Sequence, residues 1–230
     1  LGRYAPQFFC DTQTPWGSAI DYRVPEVRAF AIDNALHWLG NYRFDGLRLD
    51  AVHAIVEPGE PSILTEISDA VGILARQSGR HIHLVLEKDD NRVALVDPGS
   101  EIPDGKYRAQ WNDDYHHVWH VILTGETQGY YGDYASKPRR MLARMLRSGF
   151  AYQGEHSAFH GGPRGEPSCT LPPTAFVCFL QNHDQIGNRA LGDRLAAMVP
   201  THRLRVLVAV LLLSPSPPLI FIGEESGATS

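Results

Sequence analysis

The chain has 230 residues, of which 43% are hydrophobic and 20% are charged, and its formal net charge is −5 at pH 7. A chain of this length and composition can bury a sizeable core as one globular domain, and its acidic balance gives no reason to expect nucleic acid or an anionic membrane as a partner. The apolar run 206–213 is too short to span a bilayer, which takes roughly 20 residues.

Three cysteines lie far apart in the sequence, at Cys10, Cys169 and Cys178, without a CxxC pair. Cys178 lies within an apolar run and is predicted to be a buried thiol. An odd set of widely spaced cysteines fits a reducing compartment.

Four segments carry apolar side chains at the spacing of a helix. The first follows Pro25 and Glu26, which helix starts prefer, and the second and third close at Gly79 and Gly149. The fourth, 202–213, becomes apolar on all sides and is expected to be buried. The apolar stripe of the first helix comprises Val27, Phe30, Ala31, Ala35 and Trp38.

Strand-like apolar runs lie between and after these helices, at 44–50, 81–87, 107–111, 175–182 and 219–223. The alternation of helix and strand indicates parallel βα units. Residues 154–173 are rich in glycine, proline and serine and are predicted to form an exposed loop.

The order of these elements predicts an α/β fold, as a (β/α)8 TIM barrel that is present only in part. A closed barrel has eight strands and about 250 residues, and the runs above supply only about five strands. The chain starts at Leu1, without a methionine or a signal-like segment. We therefore expect a piece of a longer protein, in which residues 1–230 form a single domain with the later strands of the barrel.

Three of the predicted strands end in or lead into a carboxylate, at Asp50, Glu87 and Asp184. Catalytic groups gather at the carboxyl ends of the strands in parallel barrels. Splitting a glycosidic bond requires one carboxyl that donates a proton and one that attacks or stabilises the sugar cation. These three residues are candidate catalytic groups, and we expect them to converge around one sugar ring.

Arg48 and Asp50 are two positions apart and share one face of a strand. A guanidinium beside a carboxylate favours the charged form, which suits a nucleophile. The alternative is a structural Arg–Asp pair at the end of the strand. His53 follows and could bond a sugar hydroxyl, although a single histidine is more often a structural residue.

Glu87 follows the apolar run 82–86, and apolar surroundings raise the pKa of a carboxyl, as a proton donor at neutral pH requires. The alternative is an ordinary acid at the rim of the sheet. Strand alternation sends Lys88 to the opposite face, so its charge is not expected to keep Glu87 ionised.

Asn182, His183, Asp184 and Gln185 form a polar cluster directly behind an apolar run. Such a cluster is costly to bury unless it is hydrogen-bonded, which favours contact with a polar ligand. The alternative is the N-terminal cap of a helix, with Asp184 as the capping residue.

The segment 110–117 combines aromatic, acidic and histidine side chains. His116 and His120 would share a helical face, but their spacing is not that of a known zinc pair and no third ligand group is evident. Contacts with sugars are at least as good an interpretation, because aromatic rings stack on pyranose faces while Asp and His bond hydroxyls. We predict no metal site.

Taken together, these motifs resemble those of the α-amylase superfamily of retaining glycoside hydrolases, and the fuller strings are similar to a trehalose-releasing branch of that family. The resemblance runs along essentially the whole chain. The chain departs from the family in three respects. Lys88 stands where asparagine is usual, an early Asn-His motif is absent, and so are the N-terminal and C-terminal β-domains. The matching strings are Thr14–Gly17, Asp45–Ile55, Ala109–His117, Leu180–Arg189 and Phe221–Glu225.

The resemblance implies a cytoplasmic retaining hydrolase, without a cofactor, that cleaves the α-1,4 bond next to the terminal trehalose of maltooligosyltrehalose or a related α-glucan. It implies that Asp50 is the nucleophile, that Glu87 is the general acid and base, and that Asp184 stabilises the transition state. The implied substrate-binding residues are Arg48, His53, Asp113, Asp114, His116, His117, His183, Gln185 and Asn188.

Two alternatives stay open at this point. A glucan branching enzyme or another α-amylase relative would share the carboxylates and transfer the sugar to a glucan hydroxyl rather than to water. A remnant that binds glucan without catalysis would account for the missing Asn-His motif.

Overall fold

A computed structural model describes residues 2–57, 61–97 and 106–229 of the chain. Strands and helices alternate along these ranges, and the four predicted helices and five predicted strands are all present. Every helix within the described ranges is too short or too polar to cross a membrane.

Unit 1, the first of two compact units, consists of the described residues up to Lys88 and those from Val96 to Ala109. Strands β3 and β4 are parallel, with Leu49 opposite Leu86, and β4 is hydrogen-bonded to β5. The carboxyl ends of β3 and β4 therefore lie side by side. The elements of unit 1 are the hairpin strands β1 (Phe9–Thr14) and β2 (Gly17–Ile20), helix α1 (Pro25–Leu36) with a π-helical turn (His37–Asn41), strand β3 (Gly46–Leu49), helix α2 (Ile63–Ser78), strand β4 (His83–Leu86) and the start of strand β5 (Tyr107–Trp111).

Helix α2 buries the apolar face that its sequence predicts. Ile63 and Val71 are buried in the interior of unit 1. Ser62 caps the first turn, because its hydroxyl accepts a hydrogen bond from the Thr65 N–H at 3.2 Å. The helix ends at Gly79, whose φ of +64° is the left-handed conformation that glycine adopts without steric cost. The predicted end of this helix at Gly79 is confirmed.

Helix α1 lies where the sequence places it, but its apolar stripe is not buried. No residue of α1 is buried, and Phe30 is 73% exposed. The helix is instead tied to α2 by Arg28, which donates from Nε to Glu66 Oε2 at 2.9 Å and from Nη2 to the Pro61 carbonyl at 2.7 Å. Successive residues of a helix are rotated by about 100°, so Phe30 points to nearly the opposite side from Arg28.

Unit 2 consists of Asp89–Leu95 and the described residues from Gln110 onward. The end of β5 pairs in parallel with β8, and β8 pairs in parallel with β9. The parallel pairing in both units confirms the predicted α/β class. The elements of unit 2 are α3 (Asp113–Thr124), α4 (Gly132–Ala135), α5 (Pro138–Ser148), the short hairpin strands β6 (His156–Ser157) and β7 (Gly162–Pro163), β8 (Phe176–Phe179), α6 (His183–Gly187), α7 (Leu195–Met198), α8 (Thr201–Leu213) and β9 (Pro218–Leu219).

Gly149 ends α5 sharply, as predicted, and allows a close contact. Its φ is +93°, and a Cβ at this position would lie 2.2 Å from the ring of Phe176. The buried Phe150 then packs edge-on against Phe176, with 4.9 Å between ring centroids. A residue with a side chain at position 149 would therefore strain the backbone and displace this aromatic pair.

The prediction that α8 is buried is wrong. Leu207 and Leu211 are the buried residues of this helix, and Leu213 is 85% exposed. The exposed side of α8 is not covered by any described part of the chain, so an all-round apolar sequence does not by itself bury a helix.

The prediction of an exposed loop at 154–173 is also wrong in part, because Arg164 and Ser168 in this segment are buried. The Ser168 hydroxyl donates to the Ser148 carbonyl at 2.5 Å, and Arg164 Nε donates to the Asp89 carbonyl at 2.7 Å. These bonds satisfy the polar groups that burial removes from water. In β8, Cys178 is buried, as predicted.

Candidate active site

The carboxyl end of β3 presents Arg48 and Asp50 on one side. Arg48 Nη1 donates to Asp50 Oδ1 and also lies 3.9 Å from Glu87 Oε2, beyond the end of β4. The predicted contact between Arg48 and Asp50 is therefore confirmed, and one guanidinium nitrogen faces both carboxylates. The Asp50 side chain is 75% exposed and can be reached by a ligand.

Glu87 is held by the backbone that follows β3. Its N–H donates to the Leu49 carbonyl at 2.9 Å, its carbonyl accepts from Val52 N–H at 3.1 Å, and its Oε2 accepts from Ala51 N–H. Burial and the nearby Asp50 carboxylate raise the pKa of Glu87, although the Ala51 N–H and the nearby side chains of His53 and Arg48 lower it. The raised pKa that the apolar run predicted is confirmed in direction.

A cleft of about 340 Å³ opens beside Asp50 and Ala51. Its wall includes Trp16, which lies in the turn between β1 and β2 and is 72% exposed. A large exposed aromatic side chain beside a cleft is suited to stack on a sugar ring. Trp16 was not among the predicted site residues, because the hairpin that carries it was not predicted, although the Pro-Trp-Gly turn was a signal for it.

The remaining predicted residues of unit 1 lie near this carboxylate pair. His53 is exposed in the short turn after β3. Lys88 is buried, at 6% exposure. Unit 1 thus brings together four of the predicted site residues: Arg48, Asp50, His53 and Glu87.

In unit 2, helix α6 begins with a capping box. The Asn182 side chain accepts from Asp184 N–H at 2.8 Å, and the Gln185 side chain accepts from Asn182 N–H at 2.9 Å. The helix-cap alternative is therefore confirmed, but the cap is Asn182 and not Asp184. The side chains of His183 and Asp184 are left about half exposed.

This capping box changes the role expected for Gln185. Its side chain is buried, and its oxygen already accepts the Asn182 N–H, so it holds the helix start together. Asn188, in contrast, is exposed at the other end of α6. Of the polar residues on this helix, His183, Asp184 and Asn188 are therefore the ones that a ligand can reach.

Asp114 lies in the interior of unit 2 and is fully buried. Its Oδ2 accepts from Asn91 Nδ2 at 2.8 Å and from Ala151 N–H at 2.7 Å, and Arg164 Nη1 lies 3.1 Å from its Oδ1. Tyr134 also donates to Oδ1. A carboxylate that is buried and bonded in this way cannot be reached by a ligand. The expectation that Asp114 contacts sugar is therefore wrong, and its role is structural. Asp113, its neighbour, is partly buried in the first turn of α3.

The histidines of α3 are buried as well, which corrects the expectation that they bond sugar. His116 contacts the Leu180 carbonyl through Nδ1 at 2.5 Å and the Tyr131 hydroxyl through Nε2 at 2.8 Å. Burial lowers the pKa of His116 to about 3 and that of His117 well below its ordinary value, so both imidazoles are neutral at pH 7. Nowhere in the described ranges do three His, Cys, Asp or Glu side chains come together as a metal site would need.

Glu224 is a further half-buried acid, to which the sequence assigned no role. Its carboxylate accepts a hydrogen bond from Phe221 N–H at 2.6 Å. Burial raises the pKa of Glu224 to about 7, although the Phe221 N–H and the charge of Arg194 lower it.

The free energy of unfolding should depend on pH because of the Glu224 carboxyl. Because the pKa of Glu224 is higher in the folded than in the unfolded chain, the stability it contributes is fully present below about pH 4.5 and is lost as the pH rises through about 7. The slope between these limits is at most about 1.4 kcal/mol per pH unit. In the full-length protein, Glu224→Gln should remove this slope, as urea unfolding at several pH values would show. Glu225→Gln should only lessen it, because the Glu225 charge is the smallest of the contributions to the pKa of Glu224. Equal slopes for wild type and Glu224→Gln would contradict this assignment.

Comparisons with known proteins fit this geometry. No protein-family model matches the chain. A malto-oligosyltrehalose trehalohydrolase of Rhizobium sp. (strain M-11) is 40% identical over 100% of this chain and 39% of its own length. That of Mycobacterium tuberculosis (strain CDC 1551 / Oshkosh) is 39% identical over 100% of this chain and 40% of its own length. The chain thus spans about two fifths of the curated relatives that it matches.

A solved structure supports the same relationship. A Salmonella typhimurium protein, described provisionally as an alpha amylase, is 46% identical and superposes with a TM-score of 0.91 over 97% of this chain and 38% of that protein. This likeness confirms the predicted fold class, a (β/α)8 barrel of which only part is present. The chain is therefore homologous, along its whole length, to proteins named malto-oligosyltrehalose trehalohydrolase.

Proposed function

We propose that the full-length protein is a retaining α-glucan hydrolase that releases trehalose from maltooligosyltrehalose and so serves trehalose biosynthesis in the cytoplasm. One observation carries the proposal: Arg48 faces both Asp50 and Glu87 at the ends of adjacent parallel strands. The relatives named malto-oligosyltrehalose trehalohydrolase support the choice of substrate, because they match the whole chain.

The two carboxyls of unit 1 suit the two roles of retaining hydrolysis. The exposed Asp50 carboxylate attacks the anomeric carbon as the α-1,4 carbon–oxygen bond breaks, and Glu87 gives its proton to the leaving oxygen. Glu87, now a carboxylate, then takes a proton from water, which attacks the same carbon and frees Asp50. The raised pKa of Glu87 supports its part, because a proton donor must hold its proton near neutral pH.

Further roles are proposed for the residues that the family resemblance implies and whose side chains are exposed. Asp184 stabilises the positive charge that develops on the sugar, and His53, His183 and Asn188 bond sugar hydroxyls. Asp113 stays a candidate for the same role. Residues 1–230 would then contribute to one catalytic barrel domain, with Asp114, His116, His117 and Gln185 positioning the segments that carry these groups.

The test is incubation of the full-length protein with maltotriosyltrehalose and, separately, with plain amylose. We expect trehalose and maltotriose from the first substrate, with the α-anomer of maltotriose appearing first in proton NMR spectra because the mechanism retains configuration. New α-1,6 branches on amylose would favour a branching enzyme. Binding of the glucan in calorimetry without any product would favour a remnant that binds but does not cleave.

A further inference from the structure

The residue after Asp50 has an unusual backbone conformation. Ala51 has φ +46° and ψ +39°, in the left-handed region that residues with a Cβ rarely occupy. Arg43 and Asn91 are the other non-glycine residues in the described ranges that have a positive φ. Such conformations persist only where the surroundings enforce them, and they cluster at functional sites.

The left-handed turn directs two successive N–H groups at Glu87. Ala51 N–H donates to the carboxylate oxygen Oε2, and Val52 N–H donates to the main-chain carbonyl of the same residue at 3.1 Å. In an extended strand, successive N–H groups point to opposite sides, so a continuation of β3 could not make both bonds. One turn of backbone thus ties both the side chain and the main chain of Glu87 to the end of β3.

The two oxygens of Glu87 are thereby made different. Oε2 accepts Ala51 N–H and lies 3.9 Å from Arg48 Nη1, whereas Oε1 makes no hydrogen bond to any described residue. An oxygen that faces an N–H and a guanidinium is a poor place for a proton. The geometry leaves Oε1 as the oxygen that can carry the proton and exchange it with a ligand.

We propose that Ala51 is a positioning residue for the acid and base of the reaction, whose left-handed backbone fixes Glu87 through Oε2 and leaves Oε1 to transfer the proton. This inference rests on the proposed function. Ala51 touches Glu87 and not the reacting bond, so it acts through the orientation of that carboxyl.

Three substitutions in the full-length protein separate backbone conformation from side-chain size. Gly and Asn adopt the left-handed region readily, whereas it is an outlier for a β-branched residue. Valine and asparagine have similar bulk. Ala51→Gly and Ala51→Asn should therefore keep kcat near wild type, while Ala51→Val should lower kcat by about 10²-fold, as small misplacements of catalytic groups do, with KM little changed.

The pH profile of kcat/KM distinguishes positioning of Glu87 from a merely structural role of Ala51, because a structural role would leave the profile unchanged. Loss of the Ala51 N–H bond removes a contact that stabilises the Glu87 carboxylate, so the basic limb of kcat/KM should shift to higher pH in Ala51→Val and stay in place in Ala51→Asn. Equal loss of kcat in Ala51→Val and Ala51→Asn would overturn the inference, because bulk would then be the cause. Wild-type kcat in Ala51→Val would overturn it as well.

A measurement on the wild type covers the case in which Ala51→Val does not fold. A crystal structure at atomic resolution should show a positive φ at Ala51 and a longer carbon–oxygen bond to Oε1 of Glu87 than to Oε2. A negative φ, or the longer bond at Oε2, would overturn the inference. Absence of trehalose release by the wild type would instead contradict the proposed function and leave this geometric result intact.

Discussion

Replacing Glu87 by glutamine in the full-length protein should lower kcat for trehalose release by roughly 10²–10⁴-fold, the range that general acid catalysis contributes. The amide keeps the size of the side chain and can still accept the Ala51 N–H, but it has no proton to give to the leaving oxygen. Steady-state rates on maltotriosyltrehalose measure the loss.

A glucoside with an activated aryl leaving group distinguishes this role from a general disturbance of the site. Such a leaving group needs no proton, so Glu87→Gln should form the glycosyl-enzyme from it at close to the wild-type rate. Asp50→Asn should lose activity on both substrates, because it removes the nucleophile. The matched control is Asp45→Asn, at the opposite end of β3, where the carboxylate is 92% exposed and should not affect kcat. Wild-type rates for Asp50→Asn would refute the mechanism.

Asp114→Ala should destabilise unit 2 by about 3–5 kcal/mol, the cost of leaving one partner of a buried ion pair without its counter-charge. Arg164, at 4% exposure, would lose the carboxylate beside its Nη1, and the N–H groups of Ala151 and Tyr152 would lose their acceptor. Native-state hydrogen exchange of the full-length protein, read on peptides that cover α3 and residues 150–164, measures this local free energy.

Asp193→Asn is the matched control for Asp114→Ala. This carboxylate is 44% exposed and lies 3.9 Å from Arg189 Nε, and exposed pairs contribute about 0–1 kcal/mol. Unchanged hydrogen exchange in Asp114→Ala, together with a raised KM, would restore the sugar-binding role that the sequence suggested for Asp114.

The bounds of an element could be predicted from the sequence where the residues that set them lie within a few positions of each other. Strand β5 (Tyr107–Trp111) has its predicted bounds, and α2 begins at a serine cap and ends at Gly79 because both signals act on the nearest turn. The contact of Arg48 with Asp50 was predictable for the same reason, since alternation places residues two apart on one face of a strand.

Burial depends on contacts between distant parts of the chain, and there the sequence was a poor guide. Asp114 and Arg164 are 50 positions apart, and nothing near Asp114 shows that a cation will meet it in the interior. Phe30 and Leu213 are exposed although their helices have the apolar patterns typical of buried ones. The hairpin β1–β2 was missed because few of its residues are apolar, so its alternation is weak.

The capping box of α6 has a consequence for how such a site can change through evolution. Asn182 and Gln185 satisfy the backbone at the helix start, so the two residues between them carry no folding constraint from that source. Substitutions at His183 or Asp184 can therefore change the chemistry of the site while the surrounding backbone stays in place. A single substitution at His183 can therefore change ligand preference without a compensating change elsewhere, whereas a substitution at Asp184 also removes its proposed role in catalysis.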